Sequence, residues 1–473
     1  MRKEHLQPKA LSFLAIFLFI PAMMNAAVLK VPADYPSIQA AINASASGDT
    51  IMVSPGIYFE NINFRGKNIF VTSLFAEESD TSYISSTLIN GGNPANPDTA
   101  SCVIFNSGED STAVLQGFTL TGGTGTKWLD LHGAGTYREG GGILIELSSP
   151  TIRHNLITDN AAANSAGVTS AGGGGIRIGD GNPIIENNVI SFNEGRYGAG
   201  IVMNYTGGKI RNNVICNNYG GEEFYGGSGI WIYNNLPSTP KVIENNTIVS
   251  NDASASGGTG GILVWSAINV KIRNNILYSN SSVTGLQIKS VSATPQVNYC
   301  DVEGGYATGT GNIDLDPSFA DEGYYLKDGS PCIDAGDPEA LYNDLEDPGN
   351  PGNALFPSRG GLRNDMGAYG GPGASVLPGI QLATEQQEII HQEISLQFYP
   401  NPVSTSAIIV IDQKQTNKSY IFKLFDMSGK EVLQSEINGP TGSIFCNHLT
   451  KGVYIYKLLS GAQIVGQGKL EVQ

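Results

Sequence analysis

Three aromatic residues fall at matching places in neighbouring stretches of this sequence: Trp231 and Tyr233 in GIWIY, and Trp265 in GILVW. Aromatic faces stack on pyranose rings and polar groups read hydroxyls, so this cluster, flanked by Glu146, Arg177, Asn204 and Lys289, suits a sugar chain. The competing reading is that loops fold over these rings and bury them as a small satellite core. Nearby glycine-rich stretches carry more reactive types. WLDLHGAGTYREGGG (128–142) supplies Asp130, His132, Tyr137, Arg138 and Glu139; Glu194, Arg196 and Tyr197 follow, then Glu222, Glu223, Phe224 and Tyr225. A polysaccharide lyase needs a base, commonly Arg or Lys, and a cation to neutralise the uronate carboxylate. Arg177, Arg196 and Lys289 are the candidate bases, and Glu222 with Glu223 the candidate calcium ligands. The plainer reading of these loop residues is solvated surface charge.

A second acidic cluster stands apart. Asp334 to Asp347 holds six acids (Asp334, Asp337, Glu339, Asp344, Glu346, Asp347) and no Lys or Arg, with Asn364 and Asp365 beyond a loop. Calcium held by Asp344, Asp347 and Asp365 would staple this end of the domain. The spacing is not that of an EF-hand, and a solvated acidic loop is the alternative.

An internal repeat must place these residues. Asn155, Asn188, Asn213, Asn246 and Asn275 recur at intervals of 33, 25, 33 and 29. The isoleucines that follow each glycine cluster, Ile143, Ile176, Ile201, Ile230 and Ile262, recur at 33, 25, 29 and 32. Each unit holds three short strand-like pieces, as in GIRI, PIIE and VISF, with apolar residues alternating at period two. No unit could bury its apolar face alone, so the expected fold is a parallel β-helix whose stacked coils share one core. The asparagines then turn the chain and form a ladder of stacked amides. With the isoleucines inward, Leu144, Arg177, Val202, Trp231 and Leu263 point outward, as do Glu146, Gly179, Asn204, Tyr233 and Trp265. The following coil adds Gln287 and Lys289. Before the repeats, DYPSIQAAINASA (34–46) reads as an amphipathic helix capping the first coil, with Pro36 in its first turn and Ile38, Ala41 and Ile42 on one face.

Composition fits a folded, turn-rich chain: 60 glycines among 473 residues and 15% charged residues. A net charge of −16 argues against nucleic acid as a partner. Residues 1–26, with Arg2 and Lys3, a short apolar run from Leu11 to Ile20 and small residues at Ala26 and Ala27, read as an export signal. No later run approaches the roughly 20 apolar residues of a membrane span. The five cysteines (Cys102, Cys216, Cys300, Cys332, Cys446) form no CxxC. Buried free thiols are expected, with a Cys300–Cys332 disulfide as the alternative.

VPADYPSIQAAINASASGDTIMVSPGIYFENI resembles the opening of pectin-lyase-like right-handed β-helix proteins. DPSFADEGYYLKDGSPCIDAGDP and RNDMGAYGGPG resemble the closing segment of many secreted bacterial β-helix proteins. The resemblance covers roughly residues 28 to 373 and implies the fold; the superfamily includes lyases, hydrolases, esterases, epimerases and adhesive proteins without chemistry. The QDT, DFIFG and LGRPW stretches of its methylesterases are missing, as is the NTD, DD and GHG set of polygalacturonases. FYPNP (398–402), LFDMSGKEV (424–432) and LTKGVYIYKL (449–458) resemble the sorting domain of the Bacteroidetes type IX secretion system. That resemblance implies the secretion machinery as a partner and release or surface attachment as the destination. The expected architecture is all-β: export signal 1–26, right-handed parallel β-helix 27–374 with its N-terminal capping helix, linker 375–394, and a small β-sandwich sorting domain 395–473. The expected function is binding of polysaccharide in a groove along one sheet. The residues leave open whether it also cleaves the chain as a lyase or hydrolase. A non-catalytic surface or adhesive scaffold is the alternative.

Overall fold

The computed structural model describes residues 26–221, 224, 226–233, 239–253, 258–379, 396–400, 402–411, 419–426, 430–439, 441–447, 449–460 and 463–473. The expected export signal, apart from Ala26, and residues 380–394 of the expected linker lie outside them. Contacts divide the chain into two units, Met1–Ile380 and Gln381–Gln473.

The first unit is a parallel β-helix. Among the described residues, its three long sheets contain ten, nine and eight strands, and every neighbouring pair within them is parallel. Ile143, Ile176, Ile201, Ile230, Ile262 and Ile288 stand in register on successive coils. All of them point into the core. The capping helix Ile38–Ala44 covers the first coil with Ile38, Ala41 and Ile42 fully buried. The Ser37 hydroxyl accepts the Ala40 N–H at 3.1 Å as the N-cap, so Pro36 sits before the cap rather than in the first turn.

The asparagine ladder runs through the stack. The Nδ2 of Asn155, Asn188, Asn213 and Asn246 each donates to the Oδ1 of the next ladder asparagine at 3.0–3.1 Å. The last rung, Asn275, rests on the Cys300 sulfur. A second ladder lies five residues further along each coil, from Asn160 through Asn193, Asn218, Asn251 and Asn280 to the Gln287 carboxamide, with bonds of 2.7–3.1 Å.

The residue before each rung of the first ladder takes the left-handed conformation: His154, Asn187, Asn212, Asn245 and Asn274, with φ between 51° and 55°. In each Asn-Asn pair the first residue therefore makes the turn and the second makes the ladder. The turn residues also hold the segment that returns after the last coil. Asp337 donates its N–H to Asn274 Oδ1 at 2.9 Å. Asn245 donates to the Asp365 carbonyl at 2.9 Å, Asn212 to the Ala368 and Gly370 carbonyls at 3.0 and 2.7 Å, and His154 meets Ser375 at 3.1 Å.

A third column explains part of the glycine content. A Cβ on Gly175, Gly200 or Gly229 would lie 2.5–2.6 Å from the carbonyl oxygen of the matching glycine in the next coil. The coils approach too closely there for any side chain. All five cysteines are free and buried, so Cys300 and Cys332 are not bridged.

Among the described residues, the second unit has seven strands in antiparallel sheets of three and four. Strands Ser406–Ile411, Ser419–Phe425 and Gly452–Ser460 include the short β-prone runs Ala407–Ile411, Tyr420–Phe425 and Val453–Leu458, and Phe398, Phe422, Leu424, Tyr456 and Leu458 belong to the core.

Replacing Asn213 by Ala leaves the Asn188 backbone N–H without its acceptor and takes a donor away from the Ile185 and Arg211 carbonyls, while the Asn188 carboxamide keeps the Ile152 and Glu186 carbonyls. With about 1–3 kcal/mol for the stranded buried N–H and roughly 1 kcal/mol for each further bond lost, about 2 kcal/mol or more of stability is lost. The same change at exposed Asn93 shifts it by less than about 0.5 kcal/mol. Urea midpoints of the two variants provide the comparison.

Candidate functional site

The face that carries Trp231 is the eight-stranded sheet. Two outward columns run along it in register: Arg177, Val202, Trp231, Leu263 and Lys289; and Gly179, Asn204, Tyr233 and Trp265. A wall stands beside them. Gly125–Leu129 and Thr136–Glu139 form an antiparallel hairpin that joins Thr99–Ala100 on one side and Ala171–Gly172 on the other. Arg138 fastens this wall, with bonds to the Pro97 and Gly125 carbonyls, Asp98 and Ser165 at 2.6–3.1 Å.

The hairpin covers Arg177. Its guanidinium is 1% exposed, bonded through Nε to Glu139 at 3.0 Å, paired through Nη1 with Glu146, and stacked 3.9 Å from the Trp128 ring centre. Trp128 Nε1 donates to Glu139 at 2.8 Å, and the Tyr197 hydroxyl donates to the other Glu139 oxygen. Burial, reinforced by the Glu139 charge, pushes the Tyr197 phenol well above its ordinary range, so it remains a neutral donor. A side chain at residue 179 would collide with the guanidinium, and glycine there leaves it room.

A pocket opens above this buried cluster. Trp231 is 4% exposed and packs with buried Tyr197, Val202 and Leu263, while Tyr137, Phe224, Tyr233 and Trp265 are half-buried around it. Tyr233 and Trp265 lie 5.0 Å apart between ring centres, and Trp231 sits 5.7 and 6.1 Å from them. Glu139, Asn204 and Tyr205 complete the lining, and the space amounts to about 560 Å³ including its open mouth. The Asn204 side-chain oxygen is buried without a hydrogen-bond partner. At the rim, His132 Nε2 lies 3.0 Å from both oxygens of Asp180, and its ring stacks on Tyr205 at 3.7 Å.

Of the sugar-binding candidates, Trp231, Tyr233, Trp265 and Asn204 come together in the pocket. Glu146 does not line it; it is 6% exposed and committed to Arg177. Arg177 points away from the helix core as expected, yet it is sealed under the hairpin. A guanidinium held by two carboxylates is not placed to accept a proton. Arg196 and Lys289 are half-buried and do not line the pocket. Gln287 is buried at the end of the second ladder. The calcium candidates Glu222 and Glu223 lie outside the described residues. Glu139, Tyr197, Tyr205 and the His132–Asp180 pair were not singled out as partners from sequence. Glu139 is 38 residues from Arg177 and His132 is 48 from Asp180, and no local pattern joins them.

The C-terminal acids separate in the same way. Asp344 and Asp365 come together, with the Asp365 N–H donating to the Asp344 carboxylate at 3.2 Å, and both are buried. Asp347 instead accepts the Gly349 N–H at 2.8 Å within its own turn. Among the described residues, no group of three or more His, Cys, Asp or Glu side chains converges as a metal site. Burial, and then the neighbouring carboxylate, pushes Asp344 up to about 8; burial likewise pushes Asp365 up to about 7.

Residues 397–473 match the secretion system C-terminal sorting domain family. Residues 31–226 match a family described as protein of unknown function, DUF1565, which is a right-handed β-helix family. The chain is an exported right-handed β-helix protein with a type IX sorting domain. The sorting domain implies engagement of the type IX secretion machinery and sends this β-helix protein to the cell surface or the extracellular space. No curated protein matches the chain. No helix among its described residues is long and apolar enough to cross a membrane.

Two outcomes follow for the exported β-helix. Arg177→Met strands Glu139 and Glu146 as buried unpaired carboxylates and lowers stability by about 3–5 kcal/mol, read from chemical denaturation. Asp344 and Asp365 hold their protons more tightly folded than unfolded, where a carboxyl titrates near 3.9. Their contribution is present in full below about pH 4, falls as pH rises, and is gone above their folded values. The melting temperature therefore drops between pH 5 and pH 8 in the wild type, and Asp344→Asn flattens that drop.

Proposed function

We propose that this exported β-helix binds a polysaccharide segment in the pocket formed by Trp231, Tyr233 and Trp265. The observation that carries this reading is the set of aromatic side chains from adjacent coils around one open space, with the Asn204 side-chain oxygen beside them lacking a partner. Half-buried rings present faces to a pyranose, and an unpaired carboxamide accepts from a hydroxyl. The reading is binding rather than cleavage, because the best-placed cation, Arg177, is committed to Glu139 and Glu146. Residues 1–26 address the chain for export, residues 27–374 hold the ligand, and residues 395–473 deliver it to the outside.

A second reading rests on a specific observation. Trp231 and Tyr197 pack with Val202 and Leu263 as a satellite core, which also suits a non-catalytic adhesive scaffold with no sugar ligand.

Trp265 separates the two, since it is half-buried and lines the pocket from the edge of this cluster. In the sugar-binding reading, Trp265→Ala weakens binding of the best ligand from a polysaccharide panel by about 2 kcal/mol, roughly 30-fold. The variant unfolds at a denaturant concentration close to wild type. Calorimetric titration of the panel into both proteins reads the difference. Absence of any ligand whose binding responds to Trp265 leaves the scaffold reading.

A further inference from the structure

We propose that the sugar this pocket takes is uncharged, a hydroxyl-rich or N-acetylated pyranose chain rather than a polyuronate. The inference rests on the sugar-binding reading above and names its substrate class. It departs from the acidic polysaccharide that a base with calcium would require.

The charge around the pocket carries the argument. Among the described residues lining it there is no lysine or arginine, and Glu139 is the one formal charge. Beneath it, two carboxylates (Glu139 and Glu146) face one guanidinium (Arg177), so the buried cluster has a formal charge of −1. At the rim, Asp180 adds a carboxylate beside His132, and Asp130 is buried in the hairpin tip, where it accepts the His132 N–H at 2.7 Å. A uronate carboxylate entering this space would give up its water and meet negative charge, with no cation among the described lining residues to replace that water.

Hydrogen-bond chemistry points the same way. The Asn204 oxygen is an acceptor without a donor. Glu139 already accepts from Arg177, Trp128 and Tyr197, which leaves the Asn204 oxygen as the unsatisfied acceptor facing a ligand. An unpaired buried acceptor matches a ligand that brings donors. Sugar hydroxyls and acetamide N–H groups do so, whereas a carboxylate brings only further acceptors. The aromatic rings are indifferent to this choice, because either sugar presents an apolar ring face.

The test keeps linkage fixed and changes charge. Polygalacturonate and its carboxyl-reduced, neutral form are titrated into the full chain beside neutral gluco-, manno-, xylo- and N-acetylglucosamine hexasaccharides, each repeated with Trp265→Ala. The expected result is Trp265-dependent binding by one or more neutral chains. Carboxyl reduction is expected to raise the affinity of the galacturonate series by at least about tenfold, the scale of one like-charge contact near a protein surface. Affinity for the neutral chain should change little between about 50 mM and about 500 mM salt, a range over which surface charges become strongly screened. Polyuronate binding that depends on Trp265 and equals or exceeds that of its reduced form would overturn the charge inference and leave the sugar-binding reading standing. Failure of every saccharide to show Trp265-dependent binding overturns the sugar-binding reading itself, and this inference with it.

Discussion

The hydrogen bond from one asparagine carboxamide to the next, repeated from Asn155 to Asn275, is the constraint on which the rest of the β-helix depends. Parallel coils pair their backbones along the strands, but a corner leaves polar groups pointing into an apolar interior. A carboxamide has both donors and an acceptor, so one residue type satisfies the corner of its own coil and hands a partner to the next. Asn188, for example, donates to the Ile152 and Glu186 carbonyls and to Asn213. Because strand side chains alternate, a slip by one residue would carry every core isoleucine to the outside. A buried rung left unmatched by such a slip is costly, so the ladder opposes it. The left-handed residues His154, Asn212, Asn245 and Asn274 add a second job by clasping the returning segment, which ties residues 337 to 375 across several coils.

Register then dictates the pocket. Once Ile230 and Ile262 face inward, Trp231, Tyr233 and Trp265 share the outer face on adjacent coils. The wall opposite comes from the hairpin inserted between Ala100 and Ile143, in the glycine-rich part of the repeat where length varies. The core strand that follows keeps its place, since Ile143 still pairs with Val103 and Ile176. Covering the sheet with this hairpin buries Arg177, Glu139 and Glu146 together. The desolvation of three charges is offset only through their mutual pairing, the Trp128 face and the Tyr197 hydroxyl. That cluster is better suited to holding the wall in one position than to chemistry.

What could be read in the sequence was periodic or local. The first asparagine ladder, the inward isoleucines, the capping helix and the strands of the sorting domain all follow from spacing or from a short apolar pattern. Trp231, Tyr233 and Trp265 were placed together by alternation alone. Their degree of burial was not, because it depends on Phe224, Tyr197 and the hairpin, none of which belongs to the column. The second ladder was present as an asparagine five residues after each first rung, a signal as regular as the one that was used. Arg177 offered a weaker hint, since Gly179 stands where the neighbouring coils carry Glu146 and Asn204. The Asp344–Asp365 pair is suggested only by the acidic composition of its two segments, and the His132–Asp180 pair has no such hint. Each joins segments far apart in the chain through loops whose path no repeat sets.

A pocket built from successive coils has a geometry that a loop-built pocket lacks. Neighbouring strands in a sheet are about 4.8 Å apart, so equivalent outward residues recur at a step comparable to one sugar ring. Tyr233 and Trp265, one coil apart, show ring centres separated by 5.0 Å. Their backbone positions are held by the same parallel pairing that supports the core, so little ordering remains when a ligand arrives. An extended polymer laid along the stack would meet rings already spaced for it, whereas a compact ligand would engage fewer of them. Under the sugar-binding proposal, the fold would favour a chain over a monosaccharide for a reason independent of the identity of any lining residue: the repeat that stabilises the protein also sets the repeat of the surface it presents.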